Sequence, residues 1–96
     1  MRFELDHSKA DANLGKHGVS FDEAVTVFDD PLYVDFYDPE HSSAEEHRYI
    51  IVGESSERRL LMVSYTERDD IIRIISAREA TTPERKKYER DRYFIG

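Results

Sequence analysis

Two arginines lie inside a segment that otherwise has the composition of a buried strand. Residues 71–78 read IIRIISAR, with Arg73 near the middle and Arg78 at the end. A strand this rich in isoleucine is expected to be buried on both faces, so each guanidinium needs an anionic partner or an exposed edge of the sheet. Phosphate is the anion that a planar, forked guanidinium suits best. The segment therefore indicates a candidate phosphate-binding site.

The alternation of side chains along this strand predicts that the two arginines point in opposite directions. Arg73 is expected on one face with Ile71, Ile75 and Ala77, and Arg78 on the other with Ile72, Ile74 and Ser76. Only a bulge or the strand end could bring both into one site. We favour Arg78 as the phosphate ligand because a side chain at the strand end can reach a surface groove. Arg73 would anchor the sheet to acidic residues or line the same groove, and for each arginine a structural ion pair is the alternative.

A second group of polar side chains lies on the helix predicted at residues 83–92. Arg85, Tyr88, Glu89 and Arg92 are three or four residues apart and therefore share one side of that helix. A tyrosine beside arginines can stack on a base or donate a proton. Alternatively, Tyr88 packs as an ordinary core aromatic with its hydroxyl at the surface.

The pair Lys16–His17 precedes Gly18, which can end the first helix. Histidine has the ordinary pKa closest to neutrality, so His17 is the best-poised acid–base group in the chain. Its spacing from Asn13 and Leu14 places it on the helix face expected to be buried. A core or capping role is therefore the alternative to a catalytic one.

Two further histidines, His41 and His47, flank Glu45 and Glu46 in a polar segment. These four side chains could suggest a divalent metal site, but their spacing fits no recognised ligand pattern. A solvated acidic loop is the favoured interpretation. We therefore predict neither a metal nor a cofactor.

Length and composition limit the functions available to the chain. Its 96 residues predict a single domain, residues 1–96, and the absence of cysteine excludes disulfides, thiolate metal sites and a cysteine nucleophile. No apolar run is long enough to span a membrane and the N-terminus lacks a signal-peptide pattern, so the cytoplasm is the expected compartment.

Charge is unevenly distributed along the chain. The net charge of −7 argues against a protein that grips nucleic acid over its whole surface. Residues 1–57 carry a net charge of −10, however, and residues 58–96 carry +3. The C-terminal part could therefore offer RNA one attractive face, while the acidic remainder would suit a basic partner.

The pattern of apolar residues and turn signals predicts an α+β fold. A short strand at 2–4 is followed by a helix at about 8–17, capped by Asp6, and by a second short helix whose Ser20 and Glu23 match a capping box. The remaining strands are predicted at 33–37, 47–53, 60–66 and 71–77, and the last three should form an antiparallel meander. We expect the two N-terminal helices and the C-terminal helix to pack on one face of this sheet.

Several fragments in a fixed order carry a family resemblance. They are FELD at residues 3–6, NLGKHGVSF at 13–21, AVTVFDDP at 24–31, TER at 66–68, the arginine-containing strand, and ERKKY at 84–88. In order and spacing they resemble the BrnT-type toxins of bacterial type II toxin–antitoxin pairs, a branch of the small RelE-like ribonucleases. The resemblance covers nearly the whole chain and implies a RelE-like fold.

The resemblance implies a metal-independent endoribonuclease that cleaves RNA and so inhibits translation and growth. Cleavage that uses the ribose 2′-hydroxyl as nucleophile needs a base, an acid and cationic stabilisation of the transition state. The candidate catalytic residues are Arg78, Arg85, Tyr88, Lys16 and His17, and the candidate RNA-binding residues are Arg73, Lys86 and Arg92.

The resemblance also implies a partner, a BrnA-like antitoxin that forms a hetero-oligomer with this chain and commonly brings a DNA-binding domain. The chain would then join operator DNA only through the antitoxin. An alternative function is a catalytically decayed module of the same fold, retained as an antitoxin-binding co-repressor or RNA-binding protein. A structural or orphan interaction domain is a third possibility, favoured if no antitoxin gene lay beside this one.

Overall fold

The computed structural model describes the backbone of residues 2–95 and the side chains of residues 2–90. Five strands and three α-helices form in chain order, with short 3-10 turns at Val27–Asp29 and Pro39–His41. The elements are β1 (Arg2–Glu4), α1 (His7–His17), α2 (Phe21–Thr26), β2 (Val34–Tyr37), β3 (Arg48–Glu54), β4 (Leu60–Arg68), β5 (Ile71–Glu79) and α3 (Thr82–Ile95).

All strands belong to one sheet with the order β1-β5-β4-β3-β2. The antiparallel meander β3-β4-β5 is confirmed, and β2 pairs antiparallel with β3. The sheet as a whole is mixed and not only antiparallel as the meander alone would be, because β1 pairs parallel with β5, with Phe3 opposite Ile72. A three-residue strand gives no local signal of its partner, and here the two helices between β1 and β2 carry the chain away from the sheet edge where β1 lies.

Local capping rules account for the first two helices. The Asp6 carboxylate accepts a hydrogen bond from the Lys9 backbone N–H at 3.0 Å, and Gly18 ends α1 in the left-handed conformation with φ +68°. Ser20 accepts from the Glu23 backbone N–H at 3.0 Å, as predicted. The Glu23 side chain, however, does not complete the predicted capping box, since its carboxylate is bound by Ser55 and Arg59.

The core is divided between the two sides of the sheet. The larger cluster packs α1 and α2 against one side, and its buried members are Val19, Phe21, Ala24, Val27, Ile51, Leu61, Val63, Tyr65, Ile72, Ile74 and Ala77. A smaller cluster contains Tyr88 of α3 with Val52 and Leu60. Val52 and Leu60 alternate with Ile51 and Leu61, so α3 packs on the opposite side of the sheet from α1 and α2. The expectation that all helices share one face is therefore wrong.

Candidate functional site

A β-bulge in β5 decides where the two strand arginines point. Ser64 pairs with Ser76 but Tyr65 pairs with Ile74, so Ile75 is an extra residue in the ladder. An extra residue resets the alternation of side chains beyond it. Arg73 and Arg78 therefore lie on the same face of the sheet, and the prediction that they occupy opposite faces is wrong.

The amide of Asn13 explains how the bulged strand is held. Beyond the end of β1, the Ala77 backbone N–H donates to Asn13 Oδ1 at 3.0 Å. The Asn13 amide nitrogen donates to the carbonyl oxygens of Ala77 at 2.8 Å and Val19 at 2.9 Å. A buried side chain on α1 thus pairs with the strand where β1 no longer does, and polar groups of the buried backbone stay satisfied.

The strand register sorts every strand arginine onto one face. We call this the arginine face, and it carries Arg2, Arg48, Arg68, Arg73 and Arg78 together with Ser64, Thr66, Ser76 and the carboxylates Glu4 and Glu54. The opposite side, which packs against α1 and α2, we call the core face. Its charged strand residues in the described part of the chain are the carboxylates Asp35, Glu67 and Glu79. An acidic protein therefore presents a local concentration of guanidinium groups on one surface.

Arg78 is held by α3. Its Nη1 and Nη2 donate to Glu84 Oε1 at 2.8 Å and to Oε2 at 2.9 Å, a two-pronged contact between half-buried side chains. The Arg78 guanidinium lowers the pKa of Glu84 and Glu84 raises that of Arg78. Glu84 also accepts from the Thr81 backbone N–H at 2.8 Å, so Thr81 and Glu84 form a capping box at the start of α3. The pair fastens the first turn of α3 to the end of β5.

Arg73 lies farther along the arginine face and is largely exposed. Its Nη2 donates to Glu4 Oε2 at 3.1 Å, and both side chains are about half exposed or more, so the pair is weak. Arg73 also lines a cavity of about 470 Å³ with Arg68, Thr66 and His47. We call this the loop end of the sheet, because residues 44–47 of the loop before β3 also line the cavity.

The opposite end of the sheet we call the hairpin end, defined by the β3–β4 turn at residues 55–59 and by the end of β5. A cavity of about 210 Å³ opens there. Its lining residues are Glu54, Arg58, Arg59, Leu60, Glu79, Arg85, Tyr88 and Glu89. The guanidinium groups of Arg58 and Arg85 make no hydrogen bond or ion pair with any described residue. This cavity therefore contains two guanidinium groups that have no partner among the described residues, beside several carboxylates.

Tyr88 occupies the floor of this cavity. Its side chain is buried, and the hydroxyl donates to Asp30 Oδ2 at 2.6 Å. The same carboxylate oxygen accepts from the Glu54 backbone N–H at 2.8 Å. Tyr88 thus joins α3 to the loop after α2. This packing matches the core role that the sequence analysis gave as the alternative to a catalytic role.

The sequence did not identify Arg59 and Glu23, which form the most buried ion pair at the hairpin end. Arg59 Nε donates to Glu23 Oε2 at 3.0 Å, and Arg59 Nη2 contacts Glu23 Oε1 as well. The Ser55 hydroxyl donates to the same carboxylate at 2.7 Å. These hydrogen bonds, chiefly those from Arg59, lower the pKa of Glu23 to about 2. The only signal in the sequence was a pair of adjacent arginines in a hairpin turn.

Lys16 and His17 reach the same end of the molecule from the other side of the sheet. Arg59 Nη2 donates at 3.1 Å to the carbonyl oxygen of Gly18, the residue that directly follows them. Lys16 is exposed and His17 is half-buried. The structure thus brings Arg85, Tyr88 and the Lys16–His17 pair to one end of the sheet, with Arg78 at the adjoining end of β5.

The two remaining RNA-binding candidates are on α3. Lys86 is exposed on the side of α3 turned away from the sheet, since Tyr88 and Glu84 occupy the side that packs. Arg92 lies within the helix, but its side chain lies outside the described residues. Neighbouring Lys87 places its Nζ 5.4 Å from the centre of the Phe36 ring, which brings α3 close to β2.

The described residues contain neither a recognisable metal-binding cluster nor a helix suited to a membrane. No group of three or more His, Asp or Glu side chains in the described part of the chain is arranged to hold a metal ion. None of its helices combines the length and the apolar character that crossing a bilayer requires.

Comparisons with known proteins show the family of this chain and a solved structure with a similar fold. The model of the family described as "Ribonuclease toxin, BrnT, of type II toxin-antitoxin system" matches residues 5–84, which include Arg78 and Glu84 and end just before Arg85. The fold is similar to that of the Brucella abortus ribonuclease toxin BrnT, whose crystal structure was determined at 1.1 Å resolution. The TM-score is 0.61 at 21% identity, over 85% of this chain and 99% of that one. No curated protein matches the sequence. The chain belongs to the BrnT family, the ribonuclease toxins of type II toxin–antitoxin systems.

Proposed function

We propose that this ribonuclease toxin cleaves RNA without a metal ion, at the hairpin end of the sheet, on an RNA strand held by the arginine face. The observation that carries the proposal is the sorting of all five strand arginines onto the face that α3 only partly covers. Phosphate contacts supply most of the affinity of a protein for a nucleic acid strand. A protein of net charge −7 needs such sorting to bind RNA at all.

The chemistry follows from the groups at the hairpin end. The ribose 2′-hydroxyl attacks the adjacent phosphorus once a base removes its proton, and the 5′-oxygen of the next nucleotide leaves. Arg58 and Arg85 are free to bind the phosphate oxygens, whose negative charge grows in the transition state. A cavity carboxylate, from Glu54, Glu79 or Glu89, is the nearest group to serve as base.

The proposed catalytic residues are Arg78, Arg85, Tyr88, Lys16 and His17, and the proposed RNA-binding residues are Arg73, Lys86 and Arg92. The support for the first group is that its members lie at or beside the hairpin end. Their roles differ: Arg85 faces the cavity, Tyr88 supports its floor through Asp30, and Arg78 would reach phosphate by exchanging Glu84 for it. His17 is the candidate acid, because an imidazole is the side chain that most often transfers protons in enzymes.

The proposal is tested by incubating the purified chain with RNA, with and without a chelator such as EDTA, and by analysing the ends of the products. Attack by the 2′-hydroxyl leaves a 2′,3′-cyclic phosphate and a 5′-hydroxyl, whereas metal-assisted hydrolysis by water leaves a different pair of ends. We expect cyclic-phosphate products at the same rate with and without EDTA. Activity that disappears with EDTA and returns with Mg²⁺ would contradict the proposal. The matched variant R85A should cleave far more slowly while unfolding at the parental temperature, because Arg85 is exposed.

The family of this toxin implies a cognate antitoxin. We further propose that this antitoxin is BrnA-like, binds DNA, forms a hetero-oligomer with the toxin and brings it to operator DNA. The toxin itself would act on cytoplasmic RNA. Expression of the chain alone should then arrest bacterial growth, and co-expression of the protein encoded beside its gene should restore it.

A second candidate function is a binding module that has lost activity. The specific observation in its favour is that two of the proposed catalytic side chains already have protein partners: Arg78 is bound by Glu84 and Tyr88 by Asp30. Soluble expression that leaves growth and RNA intact, together with binding to the neighbouring gene's product, would favour this function.

A further inference from the structure

One edge of the sheet is exposed and aromatic. In the described chain, β2 is the last strand on its side of the sheet. Three of the large apolar side chains that remain exposed lie at or within it: Tyr33 (42%), Phe36 (36%) and Tyr37 (47%). The other edge strand, β1, has three residues and carries the charged side chains Arg2 and Glu4. Short, charged edges resist pairing with another chain, whereas an exposed apolar edge invites it.

The register shows which backbone groups of β2 are available. The Asp38 backbone N–H donates to the Arg48 carbonyl at 2.9 Å, continuing the antiparallel pairing of Phe36 with Ile50. Alternate residues of an antiparallel strand direct their backbone groups to the same neighbour. The backbone N–H and C=O of Phe36 therefore also point toward β3. The N–H and C=O groups of Asp35 and Tyr37 therefore point away from the sheet.

The charge around this edge defines the chemistry of its partner. Residues 33–47 contain five carboxylates and no lysine or arginine. These acidic residues are Asp35, Asp38, Glu40, Glu45 and Glu46, of which all but Asp38 are exposed. An extended segment that bears lysine or arginine would therefore find hydrogen bonds, aromatic contacts and complementary charge in one place.

We propose that the exposed edge of β2 is the docking site of an extended, basic segment of the antitoxin, which pairs with Asp35 and Tyr37 and adds a strand to the sheet. This inference rests on the proposed function, since it assigns a surface to the toxin's inhibitor. The contact of Lys87 with Phe36 places α3 beside β2. A segment that leaves the β2 edge on that side enters the arginine face, where it competes with RNA.

Hydrogen exchange measures the docking directly. The Asp35 and Tyr37 amides should exchange rapidly in the chain alone and become at least about tenfold slower when the antitoxin encoded beside its gene is added. Parental exchange at both amides in a saturated complex would overturn the proposal. Protection that appears in the chain alone at high concentration would also overturn it, because a second copy would then be the occupant.

A pair of variants at one position separates the backbone from the side chain. Y37P removes the outward N–H from an edge position where proline is compatible with a strand, and Y37A removes the same ring but keeps the N–H. Neither should slow RNA cleavage, because Tyr37 is outside the proposed catalytic set. Y37P should weaken antitoxin binding roughly tenfold more than Y37A does and should arrest growth even when the antitoxin is present. Equal binding by both variants would overturn strand addition.

The charge requirement has its own variant, E40K/E45K, which reverses two exposed carboxylates. We expect weaker antitoxin binding that no longer depends steeply on salt. Unchanged affinity and salt dependence would overturn the basic character of the segment. A failure of the proposed function is distinguishable from these outcomes, because a chain that neither cleaves RNA nor arrests growth can still show antitoxin-dependent protection at Asp35 and Tyr37.

Discussion

The two faces of the sheet are built by the same strands but carry different chemistry. The core face supplies the fully buried side chains Ile51, Leu61 and Ile74, which pack against α1 and α2. The arginine face carries the strand arginines, and α3 covers it mainly near Val52 and Leu60. Because side chains alternate along a strand, burial of one face fixes the positions of the cations on the other. The stability of the core face thus holds the arginine face in register.

The difference also explains how an acidic toxin can bind RNA. In the described strands, the charged side chains of the core face are all carboxylates, whereas the five arginines lie on the opposite face with only Glu4 and Glu54. Substitutions on the two faces of the sheet should therefore have separable effects on stability and on RNA chemistry.

The largest expected effect is on stability, from I74A on the core face. Ile74 is completely buried, and truncating a fully buried isoleucine costs about 3 kcal/mol of unfolding free energy. The matched variant S76A changes a neighbouring residue of β5 on the arginine face and should cost less than about 0.5 kcal/mol. Urea denaturation of both variants measures the difference. Equal losses would mean that the arginine face is as much a part of the core as the other face.

The next effect concerns Arg78, which is both a proposed phosphate ligand and the ion-pair partner of Glu84. If it clamps the scissile phosphate, R78A should lower the cleavage rate about a hundredfold, or about 3 kcal/mol in activation free energy. R78K should recover little of that loss, because an ammonium cannot reproduce the two-pronged contact. Cleavage rates must be compared at a temperature where thermal unfolding shows that every variant is folded.

The variant E84Q separates clamping from anchoring. It keeps the Arg78 guanidinium but removes the charge that now holds it. A phosphate ligand predicts parental or faster cleavage by E84Q and slow cleavage by R78A. A structural anchor of α3 predicts that both variants unfold at similarly lowered temperatures and that their folded fractions cleave RNA at the parental rate.

The sequence predicted those parts of the fold that depend on local rules. The helix caps at Asp6 and Ser20 and the antiparallel meander follow from residues close together in the chain. The bulge at Ile75 does not, because it is accompanied by hydrogen bonds between Ala77 and Asn13, 64 residues away. The partner of β1 and the side on which α3 packs are likewise decided by tertiary contacts.

The same limit applies to the candidate site, for which local patterns in the sequence suggested some residues and missed others. Arg78, Arg85 and Tyr88 were proposed because they lie close together near the C-terminus, beside a strand whose arginines suggest a phosphate-binding site, and their roles stay predictions. The Arg59–Glu23 pair joins residues 36 positions apart, and a local capping pattern had already assigned a different role to Glu23. Arg58 was not singled out, although it adjoins Arg59 in the hairpin turn, where its backbone has a positive φ of 62°. The spacing of apolar residues along a sequence does not reveal long-range ion pairs or strained turns.

The smallest expected effect tests whether cations away from the hairpin end belong to the RNA surface. Arg73 is exposed and only weakly paired with Glu4, so R73A should leave the melting transition unchanged. Binding of 2′-O-methyl RNA, which cannot be cleaved by 2′-hydroxyl attack, should weaken a few-fold, and the slope of log Kd against log salt should fall by about 0.7 for one lost phosphate contact.

K9A is the matched control, since Lys9 is an exposed cation on α1, on the other side of the sheet. If K9A lowers the slope as much as R73A does, RNA is attracted to the whole chain without preference for the arginine face. A reduced slope for R73A alone would place the strand of RNA across that face, beyond the hairpin end where the cleavage is proposed.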